Sequence, residues 1–111
     1  REALEADTEK MLRAHSRTET TGKVLVDRDA LCAAPDEIAL RALSKLIVLV
    51  SGAAYRPRFE RLLALYAAIC ASAKFRARTL HGCRIGLAPK RMQSFGTATI
   101  EIKRELARKR A

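Results

Sequence analysis

Few residues in this chain have the types and spacing that catalysis or metal binding needs. The two histidines, His15 and His81, lie far apart, and neither has carboxylates or thiols nearby at the spacing of a metal site. The nearest approach is His81-Gly82-Cys83, where zinc would need two further ligands, so a turn residue beside a strand cysteine is the favoured interpretation. Phosphate-loop, dinucleotide-binding and nucleophile-elbow motifs are absent. We therefore expect no catalytic residue and no metal site in this chain.

Basic side chains are the other group that could do chemistry, and they are unevenly distributed. Lys+Arg number 22 against 12 Asp+Glu, a formal charge of +10. Residues 1–55 carry 8 basic and 9 acidic side chains, whereas residues 56–111 carry 14 basic and 3 acidic ones. Concentrating like charge costs folding free energy through self-repulsion, so this pattern is typical of a domain that binds a polyanion. Nucleic acid is the favoured partner, and a solubilising surface or basic tail is the alternative.

Arginine is suited to phosphate because its planar guanidinium can donate to two oxygens at once. Arg58 and Arg61 have i,i+3 spacing and so share one helix face. A solvated or ion-paired surface role is the alternative for each arginine, with Glu60 and Glu105 as competing partners of Arg58 and Arg104. We expect the binding residues to converge on one exposed surface. They are Arg56, Arg58, Arg61, Arg76, Arg78, Arg84, Lys90, Arg91, Arg104 and Arg108.

Aromatic stacking on bases is expected to have a minor role. The candidates are Tyr55, Phe75 and Phe95, and the first two are equally suited to the core. A membrane partner is not expected, because no helix pattern is both basic and amphipathic with Trp or Phe on its apolar face. The longest apolar run, residues 46–50, is also far shorter than a bilayer span of about 18 residues or more.

Two helices are the strongest structural prediction. Pro35 and the two acids after it predict a helix start, and Gly52 predicts its end. The apolar residues between them cover more than half of the circumference, which is typical of a core helix. A second helix is predicted from Pro57 to about Lys74, and the short connection makes the two antiparallel neighbours. Residues 1–16 predict a thinly amphipathic N-terminal helix, and the polar run 16–22 ends it.

The remaining segments have strand patterns. Residues 23–27 are short and β-branched, which favours a strand or an extended segment. Residues 78–87 predict either a strand bent at Gly82 or a tight hairpin, and residues 97–103 alternate apolar with polar side chains. Residues from 106 onward predict a short helix or a frayed tail. The predicted fold class is α+β: two central antiparallel helices plus an N-terminal helix, packed with a small antiparallel sheet in one domain.

The cysteines predict no disulfide framework. Cys32, Cys70 and Cys83 are odd in number and lack the C-x-x-C spacing, and two of them have apolar neighbours. This favours a reducing, cytoplasmic compartment. The first residue is Arg1 with no basic or apolar leader after it, which leads us to expect that the chain is part of a longer polypeptide.

The order of several short motifs carries a family resemblance. They are Leu40-Arg41-Ala42-Leu43 with Leu46 and Val50, then Gly52, Tyr55, Pro57-Arg58 and Leu62, then Thr79-Leu80-His81-Gly82-Cys83, and finally Lys103-Arg104-Glu105. In this order they resemble the segment that follows the catalytic domain in bacterial tRNA(Ile)-lysidine synthases. The resemblance runs from about Val24 to Glu105. The stretch 86–97 is looser than the family pattern.

The resemblance implies a parent enzyme of the PP-loop ATP pyrophosphatase group. With ATP and Mg²⁺, such an enzyme attaches lysine to the wobble cytidine of a minor isoleucine tRNA. The S-G-G-x-D-S nucleotide loop of that family has no match here, so no ATP- or lysine-binding residue is carried over. The implied division is a linker helix at 1–22 from a missing upstream catalytic domain, an accessory tRNA-binding domain at 23–105 and a basic tail at 106–111. This segment is expected to bind tRNA without being catalytic.

A protein-interaction or dimerisation module with a solubilising basic surface is the alternative function. In that interpretation the apolar helices dock on the rest of the parent chain or on a second copy, through the face of Leu40, Leu43 and Ile47. A homodimer is expected only under this alternative.

Overall fold

The computed structural model of the chain describes residues 2–72, 74–89 and 98–105. These residues form four helices and five strands, and the predicted α+β class is confirmed. The strands make one antiparallel sheet in the order β1-β2-β5-β4-β3. In chain order the elements are α1 (Glu2–His15), β1 (Ser16–Thr18), β2 (Val24–Asp27), α2 (Arg28–Ala33), α3 (Asp36–Ser51), α4 (Phe59–Ala71), β3 (Arg78–Leu80), β4 (Cys83–Leu87) and β5 (Thr99–Arg104).

The core lies between α3 and one face of the sheet. Ile102 on β5 is opposite Val24 on one side and Ile85 on the other, so three apolar side chains form a row across the sheet. All three are fully buried, as are Leu43 and Ile47 of α3, which belong to the same cluster. Two of the three residues named for the dimerisation face, Leu43 and Ile47, are therefore already covered by the chain's own sheet, and the third, Leu40, is partly buried against the same cluster. The predicted dimerisation face was wrong, because the apolar side of α3 packs in the core of the domain.

Helix α3 begins and ends where its sequence signals predict. Pro35 occupies the extended N-cap position, and Asp36 and Glu37 occupy the first turn, where acidic side chains meet the positive end of the helix dipole. Gly52 ends the helix in the left-handed conformation at φ 74°, and its N–H donates to the Val48 carbonyl at 2.8 Å. This conformation is favourable only for residues such as glycine.

Helix α4 is shorter than predicted at both ends. Pro57 is buried in the connection, and Arg58 is the extended N-cap residue at φ −63° and ψ 138°. The helix therefore begins at Phe59, two residues after the predicted start. Ser72 takes extended dihedrals of φ −152° and ψ 137° and ends the helix before Lys74.

Residues 2–18, which the sequence assigned to a linker and a polar run, pack onto the same sheet and core. Met11 and Leu12 of α1 contact the core cluster, and α1 lies against α3. The polar run contains strand β1, whose Ser16 is opposite Val26. The division at residue 22 stays a prediction.

Helix α2 and a disulfide bond were both missed by the sequence analysis. The Asp27 side chain accepts a hydrogen bond from the Asp29 N–H and starts this six-residue helix directly after β2. The helix places Cys32 beside Cys70 of α4, and the two form a disulfide with a Cα–Cα distance of 5.7 Å. The prediction of no disulfide was wrong, because a pair 38 residues apart has no local spacing signal. The cysteine argument for a reducing compartment therefore does not stand.

The segment 78–87 forms the tight hairpin rather than the bent strand. His81 and Gly82 make its two-residue turn with φ values of 57° and 83°, which matches the twist of antiparallel strands. Strand β5 begins at Thr99, two residues later than predicted. Predictions for residues 106–111 lie outside the described residues. In the part of the chain that the structure describes, no helix has the length and apolar character of a membrane span.

Candidate nucleic-acid interface

An open groove of about 510 Å³ lies between the start of α4 and the β3–β4 hairpin. A smaller depression of about 170 Å³ adjoins it, shares Arg61 and Leu80 with it, and adds Arg78 to the lining. The two are one continuous feature, which we call the arginine groove. Its defining residues are Tyr55, Arg56, Arg58, Arg61, Arg78, Leu80 and His81.

Local sequence explains why two of the arginines, Arg58 and Arg61, meet here. The left-handed Gly52 turns the chain away from α3, and the buried Pro57 anchors the connection. Arg58 is then the N-cap of α4, and Arg61 follows at i+3 on the same side of the first turn. The short connection thus delivers both guanidinium groups to the end of the domain where the hairpin turns.

The hairpin turn is tied to this connection by two contacts. The His81 Nε2–H donates to the Tyr55 carbonyl across 2.8 Å. The two rings meet edge to face at a centroid distance of 5.0 Å and an interplanar angle of 90°. His81 is the one non-glycine residue with positive φ in the described ranges, so a strained turn residue makes the contact that joins the groove's two walls.

The four arginines of the groove are exposed and unpaired. Arg56, Arg58, Arg61 and Arg78 form no salt bridge with any residue that the structure describes. The ion pair with Glu60, which was the alternative role for Arg58, is not formed, although Glu60 lies in the first turn of α4. Guanidinium groups that line one groove without counterions raise the local positive potential, which favours an anionic ligand.

Arg104 lies beside this region but has a structural role. Its Nε donates to the Val50 carbonyl at 3.4 Å and its Nη2 to the Ser51 carbonyl at 3.1 Å. These bonds satisfy carbonyls at the end of α3, where a cation also meets the negative end of the helix dipole. A Cβ on Gly52 would lie 3.1 Å from the same Nη2. Arg104 is thus held by backbone and not by Glu105, its predicted competitor.

The other predicted binding residues do not join the groove. Arg84 is opposite Lys103 of β5 and alternates with the buried Cys83 and Ile85, so it points to the sheet face away from the core. Arg76 is exposed in the segment before β3. The predicted binding residues that the structure describes therefore do not all lie on one surface. The predicted residues Lys90, Arg91 and Arg108 lie outside the described residues.

The groups that could have been catalytic or metal-binding are not arranged for it. Cys83 is fully buried, donates its thiol proton to the Ile47 carbonyl at 3.5 Å, and has a pKa raised by burial to about 11. Its thiol therefore stays protonated and unreactive near neutral pH. His81 points away from it, towards Tyr55. Residues 2–72, 74–89 and 98–105 contain no group of three or more His, Cys, Asp and Glu that could hold a metal.

Two features of the groove escaped sequence reasoning. Tyr55 is 71% exposed, although it had been considered equally suited to the core. Arg78 approaches Arg61 only because the hairpin folds back beside α4. The His81-Gly82 dipeptide predicted that the chain could turn back as a hairpin. No local sequence pattern indicated that the hairpin would pack against α4. Phe75, by contrast, is buried, and Phe95 lies outside the described residues.

Comparison with known proteins finds one weak sequence likeness. The chain is 31% identical over 87 residues to a protein named tRNA(Ile)-lysidine synthase from Anaplasma marginale (strain St. Maries). The matched part is 78% of this chain and 17% of that protein, so the chain spans a small part of the relative's length. No family model and no solved structure matches the chain. The likeness supports a relation between these two sequences.

Proposed function

We propose that this chain is a tRNA-binding accessory domain of an enzyme similar to tRNA(Ile)-lysidine synthase. The observation that carries the proposal is the convergence on one groove of four exposed arginines that form no salt bridge with the described residues. The sequence likeness to a named tRNA(Ile)-lysidine synthase supports the choice of tRNA among polyanions.

Phosphate binding follows from the chemistry of the groove. Guanidinium groups donate to phosphate oxygens in pairs, and groups that have no carboxylate partner need not break an ion pair first. Such contacts recognise the position and shape of an RNA backbone and carry no base sequence information. The described groove presents no amide or carboxylate side chain to read a base edge, so recognition by backbone and shape is its proposed mode.

The parent enzyme's reaction would be carried out elsewhere in the longer chain. In the proposal, that enzyme uses ATP and Mg²⁺ to attach lysine to the wobble cytidine of a minor isoleucine tRNA. The residues of this chain do not fit either group, because the nucleotide loop is absent from the sequence and the described residues hold no group of three or more His, Cys, Asp and Glu that could bind a metal ion. We therefore assign no catalytic step to the chain, and its partners are tRNA and the rest of its own polypeptide.

A tRNA partner implies a cytoplasmic location. The Cys32–Cys70 disulfide is unusual for a reducing compartment. Counting free thiols by mass labelling of the protein from its native source measures how much of the bond is present there.

The test is a salt titration of tRNA binding with a matched pair of variants. Arg58→Gln/Arg61→Gln removes two cations from the groove, and Lys10→Gln/Arg13→Gln removes two exposed cations from α1. We expect binding to weaken steeply between about 50 and 200 mM salt, and the groove variant to lower the log–log slope by about 1–2. The α1 variant should keep the parental slope. Equal slopes for both variants, or no tRNA binding by the parental chain, would refute the proposal.

A protein-interaction module remains a second candidate, favoured by a different surface. Phe59 and Leu63 are 61% and 43% exposed and lie at i,i+4 on the outer side of α4. Sedimentation of the chain separates the candidates, because an interaction module should show a mass that falls towards the monomer when Phe59→Ser/Leu63→Ser is introduced. Arg58 and Arg61 are not part of the Phe59–Leu63 pair, so Arg58→Gln/Arg61→Gln should leave the mass unchanged.

A further inference from the structure

We infer that the arginine groove takes an unpaired nucleotide of the RNA, with the base stacked on Tyr55 and the neighbouring phosphates on Arg58 and Arg61. This inference rests on the proposed RNA-binding function and names the part of the RNA that the groove recognises. It goes beyond backbone binding, because a stacked base must be free of its own partners.

The first argument is the exposure of Tyr55 within a charged groove. A tyrosine ring that is 71% exposed gains little from burial in the fold, whereas the other described tyrosine, Tyr66, is 7% exposed. Tyr55 lines the same groove as the arginines, so its apolar surface is offered beside cations and not in isolation. An aromatic ring next to guanidinium groups is the arrangement that holds single-stranded nucleic acid, because each nucleotide has one apolar face and one phosphate.

The second argument is that the ring is held in place before any ligand binds. The Tyr55 carbonyl accepts the hydrogen bond from His81, and the edge-to-face contact at 5.0 Å restrains the ring itself. A ring restrained in the free protein loses less conformational entropy when a base stacks on it. The strained left-handed φ of 57° at His81 is the local cost of bringing its ring to this position.

The third argument concerns size and composition. The open volume of about 510 Å³ is within the range of small-ligand sites and can hold one nucleotide. Leu80 adds an apolar contact on the hairpin side, and the described lining includes no carboxylate that would repel a phosphate. A duplex keeps its base faces stacked on each other, so it could use the arginines but not the ring.

The test compares two RNA probes of equal length, a single-stranded oligouridylate and a blunt hairpin, by fluorescence anisotropy with the 111-residue chain. The parental chain should bind the single strand more tightly. Tyr55→Ala should weaken single-strand binding by about tenfold while changing hairpin binding less than about twofold. Tyr55→Phe keeps the ring and should keep the preference. Since Tyr55 is exposed, circular dichroism should show all three chains equally folded.

A second variant tests the restraint on the ring. His81→Asn retains a residue that tolerates the left-handed turn but removes the imidazole contact. Its loss of single-strand binding should be smaller than that of Tyr55→Ala, with hairpin binding unchanged.

The outcomes separate this inference from the proposed function. Equal affinity of the parental chain for both probes, or equal losses for both probes in Tyr55→Ala, would overturn the unpaired-nucleotide site. If Arg58→Gln/Arg61→Gln still weakens binding of both probes in that case, backbone binding stands. If that variant changes neither probe, the proposed function fails as well.

Discussion

Cations lie in two regions: at the boundary between α1 and α3, and in the arginine groove. Only the boundary supplies carboxylates as their counterions. At the first, which we call the α1–α3 seam, Lys45 lies 2.8 Å from Glu9 and 3.9 Å from Glu5, and Arg41 lies 4.0 Å from Glu5. In the groove, four arginines have no carboxylate partner within the described residues. The same side-chain chemistry therefore joins two helices in one place and stays uncompensated in the other.

Charges at the seam stabilise the fold, whereas charges in the groove are available to a ligand. The hydrogen bond and the charge of Lys45 lower the pKa of Glu9, and the hydrogen bond to Glu9 is the main cause of the raised pKa of Lys45. Glu9 and Lys45 thus stabilise each other's charged form. Arginines that repel one another without such partners cost stability, and a polyanion offsets that cost when it binds.

The largest expected effect comes from reversing charge in the groove. Arg58→Glu/Arg61→Glu removes two phosphate contacts and adds two repulsive charges, so tRNA affinity should fall by about 100-fold or more at low salt. Lys10→Glu/Arg13→Glu makes the same change in net charge on α1 and should cost far less. Filter binding or anisotropy measures both. Equal losses of tRNA affinity would mean that only the net charge of the chain matters. The position of the arginines in the groove would then have no special role.

The second-largest effect is expected for Arg104, which lies near the groove but donates hydrogen bonds to the end of α3. Arg104→Ala leaves the Val50 and Ser51 carbonyls without their donor, which should lower the free energy of unfolding by about 1–2 kcal/mol. Urea unfolding measures it, and tRNA affinity should change much less than in the Arg58/Arg61 variants. Arg104→Lys keeps the charge without the two-pronged donor, so it should restore only part of the stability. A large loss of tRNA affinity with unchanged stability would place Arg104 among the binding residues.

A half-buried ion pair between Lys23 and Glu101 is expected to show a smaller effect. Lys23 Nζ lies 3.0 Å from Glu101 Oε2, and the side chains are 21% and 12% exposed. Glu101→Gln should therefore lower the free energy of unfolding by about 1 kcal/mol, because an ion pair at 3.0 Å is lost from a site where both side chains are largely buried. The double variant with Lys23→Gln should recover part of the loss. An additive result in the cycle would show that the pair contributes no coupling.

The smallest effect is expected for the Glu9–Lys45 pair of the seam, because both of its residues are exposed. Glu9 has a pKa below its usual 4.5, so its pairing with Lys45 stabilises the fold above that pH and is lost as pH falls through the lowered pKa. Glu9→Gln should be slightly less stable than the parental chain at neutral pH, and the difference should shrink as the solution is acidified below about 4.5. Urea midpoints across that range measure it. A gap that stays constant with pH would assign the loss to packing.

Local signals in the sequence were sufficient for the main elements and insufficient for how they meet. Helix α3 followed from Pro35, the acids after it and Gly52, because these residues act on their own turn of helix. Helix α2 was missed because six residues with one buried side chain, Leu31, make no periodic pattern. The Cys32–Cys70 bond depends on that helix, so it was missed with it.

The candidate site was partly predictable for the same reason. Arg58 and Arg61 could be grouped from helical spacing, but Arg78 and Arg84 were grouped only because they flank one hairpin. Arg78 is opposite the buried Ile85 on the helix-covered face, whereas Arg84 alternates to the other face. Once the register of the hairpin is known, the alternation of side chains places Arg78 and Arg84 on opposite faces of the sheet. The exposure of Tyr55 depended on the packing of the connection, for which the sequence carries no signal.

The disulfide also changes what a single backbone cut can do. Cys32 and Cys70 enclose α3 and the connection that carries Tyr55, Arg56 and Arg58 in one covalent ring. A protease that cleaves once after Arg58 would leave the two products bonded to each other, and they would migrate as one species until a reductant is added. The groove's connection can thus be opened without releasing either half of the protein.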